Sequence, residues 1–157
     1  MIQQYICPEC IISDMKEKTK PGVIERLAET AARAESGLNH AKVIQVLKER
    51  EDLGSTGIGG GVAIPHGKLD GLDRMIIVVA RSREGVPFDA ADNRPVHVIF
   101  LLLAPNDAAS QYLKTLAKIS RVLRMEGVSQ KILEAEDEEE IRAVIEEAEE
   151  KIRSGNF

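Results

Sequence analysis

The chain has 157 residues, 43% of them hydrophobic and 30% charged, with a formal net charge of -5. That length can bury a continuous core without metals or disulfides, the apolar content excludes a disordered chain, and the acidic balance argues against broad contact with nucleic acid phosphates. No opening segment has the pattern of an export signal, and the longest apolar run, 98–104, is far short of the roughly 20 residues that cross a bilayer. A cytoplasmic protein without direct membrane insertion is expected.

Near the start, Cys7 and Cys10 form a C-x-x-C. A redox pair and half a zinc site are the chemical readings of that spacing. No second pair and no well-spaced histidine completes four ligands, and Pro8 and Glu9 supply no cation to lower a thiol pKa. The two are therefore read as small packed thiols, and no metal is expected.

Val23 to Glu35 is predicted to be helical, with Ile24, Leu27, Ala28 and Ala31 on one face and Gly37 as its stop. Asn39 then caps a second helix, His40 to about Asp52, whose apolar face is Val43, Val46 and Leu47. This helix delivers Glu49, Arg50 and Glu51 to the stretch GSTGIGGGVAIPHGKLDG, 54–71. Arg50 in the last turn also suits the negative end of the helix dipole, so a purely local role is open to it.

Three β-rich runs follow: Gly61 to Ile64, Met75 to Arg81 and Val96 to Leu103. Pro65 cannot donate to a central ladder, which places His66 at a strand's end and not within the sheet. The segment REGVPFDAADNRP reads as a turn or long hairpin, and 98–103 as a central strand covered on both faces. Ser110 or Asp107 is predicted to start a helix in which Leu113, Leu116, Ala117, Ser120 and Leu123 line one side until Gly127. A last helix spans about Asp137 to Arg153, with Ile141, Val144, Ile145, Ala148 and Ile152 at helical spacing. Its acidic first turn favours the helix dipole and is read as structural, not as a binding tail. With no repeat and no linker, the expected fold is α/β, a single domain over 1–157 with a mixed β-sheet flanked by α-helices.

The glycine stretch fails two nucleotide motifs. Lys68 is followed by Leu69 and not by a hydroxyl residue, and five residues separate Gly61 from Gly67, so no Walker loop is present. The stretch leaves a helix for a strand, opposite to a dinucleotide fingerprint. A phosphoryl site without a nucleotide survives: neutral imidazole, with an ordinary pKa of about 6.5, is a competent nucleophile near neutrality. Glycine-loop N–H groups, the hydroxyls of Ser55 and Thr56, and the cations Arg50 and Lys68 are the local donors for phosphoryl oxygens. The plainer account has His66 bonded to a neighbouring carbonyl at a strand end, with the glycines serving a tight turn. His97 is assigned to a sheet face and His40 to the first turn of its helix.

Together, KERED, GSTGIGGGVAIPHGK, GVPFDAADNRPVHVIFLLLAP and QYLKTLAKISRVL resemble enzyme IIA of the bacterial phosphotransferase system, of the fructose and mannitol type (EIIA type-2). The form of ERED-LGSTGIG with AIPHGKLD is most similar to the stand-alone nitrogen-related regulatory branch. The resemblance implies a mixed sheet between helices, no cofactor, and His66 as the acceptor of a phosphoryl group from an HPr-like histidine phosphocarrier protein. It also places Arg50 beside the phosphoryl site. Where family members usually start a helix with a second active-site histidine, this chain has Tyr112, or Gln111 if the register shifts by one. Tyrosine is a neutral donor and cannot replace imidazole in acid-base work. Three outputs stay open: regulation of a sensor kinase or transporter through the charge on His66, transfer to a sugar-specific IIB unit, or a non-phosphorylated interaction module. Tyr112 and the lack of a fused IIB segment favour regulation.

Overall fold

The computed structural model describes residues 1–155. Two 3-10 turns, Ile2–Tyr5 and Pro8–Cys10, lead into β1 (Ile11–Ile12). The first helix, α1 (Lys20–Ala34), begins before Val23: Thr19 accepts from the Gly22 N–H, and Pro21 sits in the first turn, where a missing N–H loses nothing. The second, α2 (His40–Asp52), has the predicted bounds, and the Asn39 side chain caps it at the Lys42 N–H. There follow β2 (Gly57–Gly59), β3 (Val62–Ala63), β4 (His66–Leu69), β5 (Ile76–Val86), β6 (Val96–Pro105), α3 (Ala109–Arg124), α4 (Val128–Glu134) and α5 (Glu138–Ser154).

The sheet runs in the order β1-β5-β6-β3-β2, with β4 also paired to β6. β5 is antiparallel to β6, whereas β3 and β4 are parallel to it, so the sheet is mixed. β3 pairs as far as Ala63 with Ile99, and β4 resumes with His66 opposite Leu102. Pro65 explains the break, because it has no N–H to give the ladder. Its carbonyl still accepts from Leu102 at 3.0 Å, while the Ile64 N–H turns to the Thr56 carbonyl at 3.0 Å. One strand is thereby split in two, and His66 begins the second piece, inside the sheet opposite Leu102 and not outside it as expected, because pairing resumes directly after the proline.

β6 is buried at every position except half-buried His97. Successive side chains of a strand point to opposite faces, so both faces are covered, as the continuous apolar run predicts. Burial of each large side chain from Phe100 to Leu103 stabilises the fold by roughly 1.5–3 kcal/mol. Helices α1 and α2 pack on each other and on β5 and β4, and α3, α4 and α5 form a second group resting on β5 and β6.

Several expectations change. Cys7 and Cys10 are joined by a disulfide instead of packing as thiols. The 3-10 turn sends the Cys10 N–H back to the Cys7 carbonyl at 3.0 Å, which folds the intervening backbone and brings the sulfurs together. Neither Ser110 nor Asp107 caps α3, whose N-cap is Ala108 without a side-chain bond. The buried face of α3 is also rotated: Thr115, Ile119, Val122 and Leu123 are inside, Ala117 is exposed, and Leu113 is 63% exposed. Two overlapping apolar stripes run along this helix, and the one carrying Ile119 and Val122, with half-buried Tyr112, is the one that turns inward. Gly127, with φ of 82°, caps the short α4, an element the sequence reading did not contain. α5 follows its prediction, with Asp137 accepting from the Glu140 N–H.

Candidate functional site

The site forms where α2 ends, β4 begins and α3 starts. Gly67 permits this convergence. A Cβ there would lie 2.3 Å from Cγ1 of Val46, so only glycine lets α2 settle this closely on β4. Arg50 lies one helical turn beyond Val46 and is carried to the start of β4. His66 and Lys68 share the other face of that strand, by the alternation of side chains.

The His66 ring is held at both nitrogens. Nδ1 lies 2.6 Å from the Ile64 carbonyl, and Nε2 lies 3.2 Å from the Arg50 Nε–H. A carbonyl only accepts and a guanidinium only donates, so the proton is on Nδ1 and the Nε2 lone pair faces Arg50. Arg50 is itself anchored through Nη1 on the Gly54 carbonyl at 2.9 Å. The surroundings hold the His66 pKa below its ordinary value, mainly because burial penalises the charged ring and further because of the neighbouring Arg50 charge; the Ile64 bond opposes this. The result is a neutral, half-buried imidazole with a cation at its unprotonated nitrogen.

Tyr112, and not exposed Gln111, stands beside it, with ring centroids 5.9 Å apart. Burial pushes the Tyr112 hydroxyl up to about 12, so it stays protonated, a neutral donor. Lys68 Nζ lies 5.8 Å from the centroid of the same tyrosine ring. Four of the six residues singled out in the sequence, Arg50, His66, Lys68 and Tyr112, are thus brought together.

Ser55 and Thr56 are engaged elsewhere. The Ser55 hydroxyl donates to the Phe88 carbonyl at 2.6 Å and accepts from the Gly57 N–H at 3.0 Å. Thr56 is buried, with its hydroxyl and N–H both given to the Glu51 carboxylate. The glycine run does not cradle His66 either: Gly59, Gly60 and Gly61 all have positive φ and carry the chain from the end of β2 through the turn to β3, where the Gly60 N–H is bound by Asp92 at 3.0 Å. Glu51, by contrast, is delivered to the glycine stretch by α2 with no role assigned to it from sequence. Its neighbour Lys20 is distant in sequence, and only a buried carboxylate at the end of an amphipathic helix could have flagged it.

Among the described residues no group of three or more His, Cys, Asp or Glu side chains could hold a metal ion, and no helix is long and apolar enough to cross a membrane. The His97 Nδ1 meets the Ser82 carbonyl at 2.9 Å, an ordinary structural bond, and His40 is exposed at the first position of α2.

Residues 4–148 match the family model described as "Phosphoenolpyruvate-dependent sugar phosphotransferase system, EIIA 2". The chain is 39% identical over 144 residues to a nitrogen regulatory protein of Bradyrhizobium diazoefficiens, covering 92% of this chain and 94% of the relative. It is 36% identical over 139 residues to a fructose-specific EIIA component of Haloferax volcanii, covering 88% of this chain and 90% of the relative. The crystal structure of the nitrogen regulatory protein IIA-Ntr from Neisseria meningitidis superposes with a TM-score of 0.86 at 36% identity, covering 92% of this chain and 98% of that one.

Proposed function

Since the chain belongs to the EIIA type-2 family of the phosphoenolpyruvate-dependent phosphotransferase system, a family of phosphoryl-transfer components, we propose that it is a cytoplasmic phosphocarrier that accepts a phosphoryl group on Nε2 of His66. The donor is the phosphohistidine of an HPr-like carrier. The Nε2 lone pair attacks phosphorus, the new N–P bond forms as the donor's N–P bond breaks, and that electron pair returns to the donor's ring, which carries a proton on its other nitrogen and so leaves as neutral imidazole, while His66 keeps its own proton on Nδ1. No metal and no cofactor is needed for this balance.

The observation that carries the reading is the double hold on His66: Nδ1 on the Ile64 carbonyl and Nε2 beside Arg50. It presets the nucleophilic tautomer and places a guanidinium where anionic phosphoryl oxygens arrive. Lys68 and the Tyr112 hydroxyl are the remaining donors of the cluster. Leu53, 85% exposed, follows Arg50 on the chain, and Leu113 adjoins Tyr112; both suit contact with a protein donor more than with a small molecule.

The output we infer is regulatory, through an added charge of roughly two units that remakes this surface toward a sensor kinase or transporter. The relatives named as nitrogen regulatory proteins support it, and so does Tyr112, which lacks the acid-base capacity for brisk onward transfer. Transfer to a IIB unit is the second reading, favoured by the fructose-specific relative.

Incubation with phosphoenolpyruvate, enzyme I and the carrier should add one acid-labile phosphoryl group in wild type and none in His66→Ala. An unlabelled wild type beside a labelled EIIA control overturns the proposal. Labelled protein that empties rapidly onto IIB units would select transport over regulation.

A further inference from the structure

The Glu51 side chain is buried directly behind the site, and burial of an unpaired carboxylate is strongly unfavourable. Its oxygens are all partnered. Oε1 receives Lys20 Nζ at 2.7 Å and the Thr56 N–H at 3.1 Å, and Oε2 receives the Thr56 hydroxyl. Lys20, at the start of α1, also reaches the Phe88 carbonyl at 3.4 Å, the same oxygen that Ser55 holds. The end of α2, the start of α1 and the loop before β2 are knotted together at this carboxylate.

From Thr56 a line of hydrogen bonds continues to the nucleophile. The Thr56 carbonyl accepts from the Ile64 N–H at 3.0 Å, and the Ile64 carbonyl accepts from Nδ1 of His66 at 2.6 Å. The adjoining residue, Arg50, meets Nε2 from the opposite side of the ring. One helix end therefore governs both imidazole nitrogens, directly through Arg50 and by relay through Glu51.

We propose that Glu51, braced by Lys20, is a positioning residue that fixes the Nδ1–H tautomer of His66 through Thr56 and Ile64; the inference rests on His66 being the phosphoryl acceptor. The segment 54–56 has little apolar packing of its own, with Gly54 exposed and Ser55 half-buried, so a bidentate grip on Thr56 supplies the rigidity that side-chain packing does not. Loss of the grip frees the Ile64 backbone to turn about its own φ and ψ, which moves its carbonyl off Nδ1. The ring then loses its fixed acceptor, and both tautomers become populated.

The test uses the full chain, unphosphorylated, with 15N-labelled histidine. Wild type should show one protonated Nδ1 and one bare Nε2 at His66. Thr56→Val and the charge-free double variant Lys20→Met with Glu51→Met should move both resonances toward averaged values and slow phosphorylation by about tenfold or more. Thr56→Ser and Lys20→Arg, which restore the contacts, should return the wild-type pattern. Variants that keep the amide spectrum of the sheet and the wild-type His66 resonances would overturn the proposal; if the double variant does not fold, Thr56→Val decides alone. The resonances need no phosphoryl donor. A tautomer shift in the variants, beside a wild-type chain that no donor labels, would discard the phosphocarrier reading and leave the positioning of the ring intact.

Discussion

The chemistry of His66 depends on which partner faces which nitrogen. The Nε2 lone pair is preserved because Arg50 can only donate to it, and the positive charge there helps to keep the ring neutral. Arg50→Gln should raise the His66 pKa, readable in an NMR titration, and slow phosphorylation on the order of 100-fold, the loss expected when one aimed donor is removed. Stability should change by less than about 1 kcal/mol, because Arg50 lies at a helix end and is only half-buried. An unchanged titration would show that the guanidinium does not act on the ring. Arg50 and His66 were legible in the sequence, one from the end of an amphipathic helix and the other from its place after Pro65. The engagement of Thr56 was not, since a hydroxyl in a glycine-rich segment serves a phosphate or a carboxylate equally well.

The placement of α2 turns on a missing side chain. Gly67→Ala would drive a methyl group into Val46, and β-branched valine has little rotamer freedom with which to yield. Overpacking of this kind costs about 1–3 kcal/mol. The variant should also transfer phosphoryl groups more slowly, because displacing α2 carries Arg50 away from His66. Full activity with lowered stability would separate the packing of α2 from the site. At the N-terminus the Cys7–Cys10 disulfide is one hold among several: Arg142 binds the carbonyls of Ile6 and Cys7 at 3.2 Å each, and the Glu149 carboxylate takes the N–H groups of Ile2 and Gln3 at 2.7 and 3.1 Å. Cys7→Ala with Cys10→Ala should therefore lower stability by only about 1–2 kcal/mol, the smaller end for a short closed loop, without touching phosphorylation. Loss of the folded state in thermal melts would show that the disulfide is the principal hold. Spacing alone presented C-x-x-C as thiols, metal ligands or a bridge; the 3-10 turn decides among them.

For the molecule as a whole, burial of His66 links stability to pH. Its pKa is lowered on folding, so the unfolded chain takes up the proton first as pH falls. The sign follows: the contribution is fully present above the unfolded value of about 6.5 and is lost as pH drops from there through the folded value. Denaturant unfolding at pH 7.5 and 5.5 should show a steeper loss in wild type than in His66→Gln. Equal slopes would mean that the ring titrates as it does in the unfolded chain.

The α/β class, the covered strand β6, the bounds of α2 and the interruption of the ladder at Pro65 were all determined by local sequence, because apolar period, capping side chains and proline act within a few residues. The face that α3 buries, the partnering of Glu51 by Lys20, the tight seating of α2 on Gly67 and the entry of His66 into the sheet beside Leu102 were decided only by the tertiary structure. Each joins residues far apart along the chain, and a choice between two apolar stripes or two acceptors is settled by what the rest of the fold presents to them.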